Sequence, residues 1–182
     1  RTEWTNGPDS KNGAYGLYPV ESIGVLIDGC VAIGASDAGV YVGQSEQIIV
    51  RNTRAEYNVA GIEIENSYHA DVYNNITTNN TGGILIFDLP NLPKQGGKFV
   101  RVFQNKSFNN NTDNFAPEGN IVGLVPSGTG LIIMANRNVE VFENSFDNNQ
   151  TVHIAVVAGE LESGDESYDP YPKSVQIHNN QF

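Results

Sequence analysis

An all-β solenoid of parallel coils is the fold class the sequence predicts. Two interleaved repeats carry that prediction, together with the alternation of apolar and polar residues inside them. The first repeat opens on glycine: Gly16-Leu17-Tyr18, Gly39-Val40-Tyr41-Val42, Gly61-Ile62-Glu63-Ile64, Gly83-Ile84-Leu85-Ile86 and Gly130-Leu131-Ile132-Ile133. Its glycines lie 23, 22 and 22 residues apart, then 47, which is two periods or one period plus an insertion. The second repeat is Val50-Arg51-Asn52, Val72-Tyr73-Asn74-Asn75, Val102-Phe103-Gln104-Asn105, Val141-Phe142-Glu143-Asn144 and Ile177-His178-Asn179-Asn180. In four of the five another Asn follows eight residues after the valine: Asn58, Asn80, Asn110 and Asn149.

Alternation is the strand period, so Val40, Ile62, Ile84 and Leu131 are expected in one interior column. Val42, Ile64, Ile86 and Ile133 stand beside it. One coil cannot bury its apolar side alone, and stacking neighbours supply the core. Glycine opens each run because the corner needs positive φ or a close backbone approach. Asn tolerates left-handed backbone, and its amide can bond the next coil. About five coils of about 22 residues are recognisable, in one domain over residues 1–182. Three segments leave the rhythm and read as loops: Phe87 to Lys98, Asn109 to Gly130, and Gly159 to Pro172. The chain begins at Arg1 and stops at Phe182 inside a repeat-like segment. We read it as part of a longer β-helix, so a missing signal peptide says little about export.

A formal charge of −11 repels phosphate backbones and anionic membrane surfaces. No nucleic acid partner and no membrane insertion are expected, since no apolar run reaches bilayer length. The single cysteine, Cys30, has no internal partner and reads as a small filler. Five Asn-x-Ser/Thr sequons, at Asn75, Asn79, Asn105, Asn110 and Asn149, read as products of Asn-rich corners. Arg51, Tyr73, Phe103, Phe142 and His178 form an expected stacking column, and Asp71, Arg101 and Glu140 a column of alternating charge.

Candidate chemistry lies on the outer face of the glycine-led strands. Glu63 and Glu65 stand at i and i+2, roughly 7 Å apart along the strand. Tyr41 is one coil below, and Phe87 and Asp88 one coil above. Paired carboxylates beside aromatics suit a sugar-cleaving or sugar-binding groove, one acid protonating and the other acting as base or nucleophile. Glu63 and Glu65 are alternatively ligands for Ca²⁺. The bland reading is a solvated acidic face paired with Arg51 or Arg54. Asp37, in Ser-Asp-Ala-Gly, lines the same edge or simply makes a turn. His69 sits at a corner near the carboxylates, as a proton shuttle or an ordinary loop histidine.

The segments Gly-Val-Tyr-Val-Gly-Gln-Ser (39–45), Asn-Val-Ala-Gly-Ile-Glu-Ile-Glu-Asn-Ser (58–67) and Asn-Thr-Gly-Gly-Ile-Leu-Ile-Phe-Asp-Leu-Pro (80–90) resemble bacterial secreted parallel β-helix repeat proteins of the pectate-lyase-like superfamily. The resemblance covers nearly the whole chain. It implies a right-handed single-stranded parallel β-helix, in line with the crossover rule. It also implies export, to a secreted, periplasmic or cell-surface location. Better-known relatives are polysaccharide lyases, glycoside hydrolases and epimerases. Their Asp-Pro-His-Asp, Asp-Asp and Gly-His-Gly elements are absent here; Asp169-Pro170-Tyr171 lacks the histidine. Two function classes follow. One is a polysaccharide-interacting protein with Glu63, Glu65 and Asp88 as its polar groups, Tyr41 and Phe87 as sugar platforms, and Asp37 and His69 at the edge. The other is a non-catalytic surface or assembly module, meeting neighbouring coils or subunits at open ends.

Overall fold

The computed structural model describes residues 1–182. Six coils are present, one more than the repeats alone reveal. The first carries β1 (Thr2–Glu3), β2 (Tyr15–Leu17) and β3 (Ile23–Asp28). The second carries β4 (Val31–Ile33), β5 (Ala38–Gly43) and β6 (Glu46–Arg51), and the third β7 (Arg54–Glu56), β8 (Ala60–Glu65) and β9 (Tyr68–Tyr73). The fourth has β10 (Ile76–Thr78), β11 (Gly82–Phe87) and β12 (Lys98–Phe103), and the fifth β13 (Lys106–Phe108), β14 (Thr129–Met134) and β15 (Arg137–Phe142). The sixth has β16 (Ser145–Asp147), β17 (Val152–Val157) and β18 (Lys173–His178). Corresponding strands stack in parallel into three six-stranded sheets. We call them first, second and third in the order a coil meets them. The only helical piece is the 3-10 turn Ile121–Leu124, and no helix is long and apolar enough to cross a membrane.

The expected interior columns are present in the expected register. Val40 pairs with Ile62, Ile62 with Ile84, and Ile84 with Leu131. These side chains and their neighbours form one buried core of 20 residues along the stack axis. Each fully buried Ile, Leu or Val contributes roughly 1.5–3 kcal/mol. The loops occupy 88–97, 109–128 and 158–172, within a residue or two of the expected segments.

Gly39, Gly61, Gly83 and Gly130 are not left-handed, so close approach is the reason for glycine there. A Cβ on Gly61 would lie 2.5 Å from the Gly83 carbonyl oxygen and 3.0 Å from Asn80 Nδ2. Gly61→Ala is therefore expected to cost about 1–3 kcal/mol by overpacking, read as a lowered urea midpoint. The sixth coil carries His153 at this position, and β17 is the last strand of its sheet, so no following carbonyl crowds it. The glycine repeat therefore ends at the fifth coil, while the second repeat runs from the second coil to the sixth.

Two asparagine ladders close the corners. Asn75, Asn105, Asn144 and Asn180 form one, each amide donating to the Oδ1 of the next. Asn58, Asn80, Asn110 and Asn149 form the other. Four of the five sequon asparagines are therefore buried in ladders, which fits the corner reading. The expected aromatic column also stacks: Tyr73 on Phe103 at 4.8 Å, Phe103 on Phe142 at 5.0 Å, and Phe142 on His178 at 5.4 Å.

Candidate functional site

The outer face of the second sheet was expected to be open. It is covered. The 109–128 loop leaves the fifth coil between β13 and β14 and lies back over the face toward the second coil. Val122 and Val125 are buried against Ala38, Ala60, Leu85 and Ile132, with Phe115, Ala116 and Ile121 packed around them. Asn114 braces the loop, its amide donating to the Val122 and Val125 carbonyls at 2.9 Å each. Asn120 Nδ2 ties it down by donating to Asp37 Oδ2 at 3.3 Å.

Beneath and beside this cover the structure gathers Asp37, Tyr41, Glu63 and Glu65. Tyr41 pairs with Glu63, and Gly43 with Glu65, in the parallel register of β5 and β8. The two glutamates do not stay apart along the strand: their side chains turn toward each other and hydrogen-bond. Glu65 Oε1 accepts from Tyr41 Oη at 2.6 Å and from Gln44 Nε2 at 3.0 Å. Glu63 is 1 % exposed, and its Oε2 receives no hydrogen bond from any donor. A buried carboxylate without donors is costly, and protonation removes the cost. Burial first, then the charges of Glu65 and Asp37, hold the Glu63 carboxyl well above the usual carboxylate range. Burial also raises Glu65, against the opposing hydrogen bonds of Tyr41, Glu63 and Gln44. Burial thus favours the protonated form of Glu63, while Tyr41 and Gln44 support the charged form of Glu65. Burial pushes Asp37 up to about 6, with a hydrogen bond from Tyr15 opposing.

No arginine neutralises the cluster. Arg51 binds Asp28 at 2.8 Å and Arg54 binds Glu56 at 2.8 Å. The reading of a solvated face paired with those arginines is therefore corrected on both counts. Ca²⁺ does not fit the pair either: Glu65 Oε1 is taken by Tyr41 and Gln44, and no three His, Cys, Asp or Glu side chains converge as metal ligands would.

Four expected positions are revised. Phe87 is 2 % exposed and packs in the apolar layer under the loop, so it offers no platform, and Tyr41 at 6 % is turned onto Glu65. The exposed aromatic is Tyr18, one coil lower, stacked on Tyr15 at 4.3 Å and on Tyr41 at 4.9 Å. Asp88 adjoins the cluster, but its two oxygens accept from the Gly96 and Gly97 amides at 2.9 and 2.8 Å, closing the 88–97 loop. His69 is not near the carboxylates. Its left-handed backbone, φ +57°, turns it onto the outer face of the third sheet, where it stacks on Phe99 at 4.9 Å. Gln44, Tyr15 and Asn120 join the site without having been singled out in the sequence. For Tyr15 the one-period offset from Ala38 was the available signal.

Residues 5–99 match the family described as right handed β-helix region, which is over half the chain. No curated protein and no solved structure matches the chain.

Proposed function

Given that the chain belongs to the right-handed β-helix family, we propose that it is an exported protein acting on polysaccharide at the outer face of its second sheet. The observation that carries this reading is the buried Glu63–Glu65 pair, in which Glu63 Oε2 has no hydrogen-bond partner while Glu65 Oε1 accepts from Tyr41 and Gln44. Two titratable groups held in different protonation states are the equipment of general acid–base catalysis. Glu63 donates the proton to an oxygen of the glycan, and Glu65, oriented by Tyr41 and Gln44, takes a proton in return. Tyr18 offers the exposed aromatic edge against which a sugar ring packs.

The pair is in hydrogen-bond contact, closer than the ~5–9.5 Å that separates the carboxyls flanking a bond in glycoside hydrolysis. Access to it runs through the 109–128 loop. The loop is tied there by the hydrogen bond that Asn120 donates to Asp37, which strengthens as that carboxyl ionises near pH 6. A panel of neutral and acidic polysaccharides tests the proposal, with products followed as reducing ends and as unsaturated sugars. Turnover on at least one polymer is expected, falling at least about 100-fold in Glu63→Gln and in Glu65→Gln. Absence of both turnover and binding on every polymer would refute it.

One observation favours a second reading, the non-catalytic assembly module. In the sixth coil the interior positions Val156 and Ile177 are 42 % and 44 % exposed, and the edges of β17 and β18 are unpaired on one side. Such an edge is a template for another coil or subunit. A monomer in sedimentation analysis at high concentration counts against that reading.

A further inference from the structure

The third sheet has an outer face that the acidic pair does not use. We infer that this face is a second, separate glycan-binding site, which takes an uncharged polysaccharide laid along the stack. It rests on the geometry of the third sheet and not on the chemistry proposed for the second.

Each strand of this sheet is kinked at its second residue. Gly24, Gln47, His69, Phe99, Asn138 and Ser174 form a column with φ between +50° and +78°. Glycine and Asn adopt that conformation at little cost, as at Gly24 and Asn138. Phe99 and His69 do not; left-handed backbone in such residues costs of order 1–3 kcal/mol and persists where something else requires it. What it achieves here is outward projection. Phe99 is 45 % exposed, and its ring stacks on His69 to form an aromatic strip along one wall. Between the strip and the next outward column lies an open cleft of about 640 Å³.

The chemistry of the cleft selects the occupant. Its other wall carries Asp71, Arg101, Glu140 and Gln176 from successive coils. Arg101 donates from Nε and Nη2 to the two Asp71 oxygens at 2.7 and 2.6 Å, so its charge is matched on the spot. Glu140 and Asp71 leave the floor unattractive to a uronate. Lys98 lies over the Tyr68 ring at 4.7 Å and, farther off, over the Phe99 ring at 5.9 Å. The amides of Gln47, Asn138 and Gln176 each present a donor and an acceptor, as sugar hydroxyls require. One pair of stacked rings flanked by planar hydrogen-bonding groups, set at the ~4.8 Å spacing of stacked strands, suits an extended chain of sugar rings and not a compact ligand.

Affinity electrophoresis of the full chain in gels containing hydroxyethylcellulose, arabinoxylan or galactomannan tests this, with polygalacturonate and alginate as acidic polymers. At least one neutral polymer is expected to retard the protein. Phe99→Gly should reduce that affinity at least tenfold while leaving the thermal midpoint equal or higher, because glycine suits φ +59°. Glu63→Gln should keep the retardation, which locates it away from the second sheet. No retardation by any neutral polymer, retardation unchanged in Phe99→Gly, tighter binding of the acidic polymers, or loss of binding in Glu63→Gln would each overturn the inference.

Discussion

Asn80→Ala is expected to destabilise the protein by on the order of 3–5 kcal/mol, while Asn79→Gly, one residue earlier, should change stability by less than about 0.5 kcal/mol. Asn80 is fully buried. Its Oδ1 accepts from the backbone and side-chain nitrogens of Asn58, at 3.0 Å each. Its Nδ2 donates to the Ala55 carbonyl at 3.0 Å and to Asn110 Oδ1 at 2.9 Å. Alanine would remove four buried hydrogen bonds from the corner, although Asn58 Nδ2 keeps the Ala32 carbonyl and Asn110 Oδ1 keeps the residue-80 backbone amide. Each stranded group costs about 1–3 kcal/mol before relaxation. Asn79 serves the corner through its backbone, which is left-handed at φ +56°, and glycine adopts that conformation freely. Chemical denaturation of both variants separates the roles of two adjacent asparagines. A small loss in Asn80→Ala would mean that the ladders are decorative and that the aliphatic columns alone set stability.

The second large effect is a pH dependence opposite to that of most acidic proteins. A carboxyl raised in the native state binds its proton more tightly folded than unfolded. Its contribution is present below the ordinary value and is lost as pH rises through the raised one. For Asp37, raised from 3.8 to about 6, the difference is on the order of 3 kcal/mol. Glu63, Glu65 and Asp88 are shifted in the same direction by burial. Asp28, Glu46 and Asp169 are shifted down by their basic partners and act in the opposite sense. Those are surface ion pairs, which contribute little each. Thermal stability should therefore fall between about pH 4 and pH 7. Glu63→Gln keeps a hydrogen-bond donor toward Glu65 without an ionisable proton. It should raise stability at pH 8 by about 1–2 kcal/mol and flatten the profile. A stability curve that rises steadily from pH 4 to pH 7 would contradict the buried cluster.

The register was legible in the sequence because stacking makes it a property of spacing. A period of 22 or 23 residues, once seen, places Tyr41 beside Glu63 and Glu63 beside Leu85 without further information. What covers a face is a tertiary matter and was not legible in the same way. The 109–128 segment reads as a surface loop from its Asn, Gly and Pro content. Yet Phe115, Ile121, Val122 and Val125 are too apolar to be left in water, and they were the available sign that it folds back. His69 escaped for a local reason. Alternation assigns faces only while the strand stays extended, and one left-handed residue per coil redirects the third sheet's side chains. The convergence of Glu63 and Glu65 depends on rotamers and burial, neither of which a repeat encodes.

Central to the second sheet is a Glu63 whose protonated form burial favours, beside a Glu65 whose charged form Tyr41 and Gln44 support. Carbon-13 NMR of the glutamate side-chain carboxyls, with Glu63→Gln and Glu65→Gln used for assignment, measures this directly. At pH 7 the Glu63 resonance should remain at the position of an undissociated acid while Glu65 shows a carboxylate. Two carboxylates, both fully titrated by about pH 5.5 as ordinary glutamates are, would contradict it.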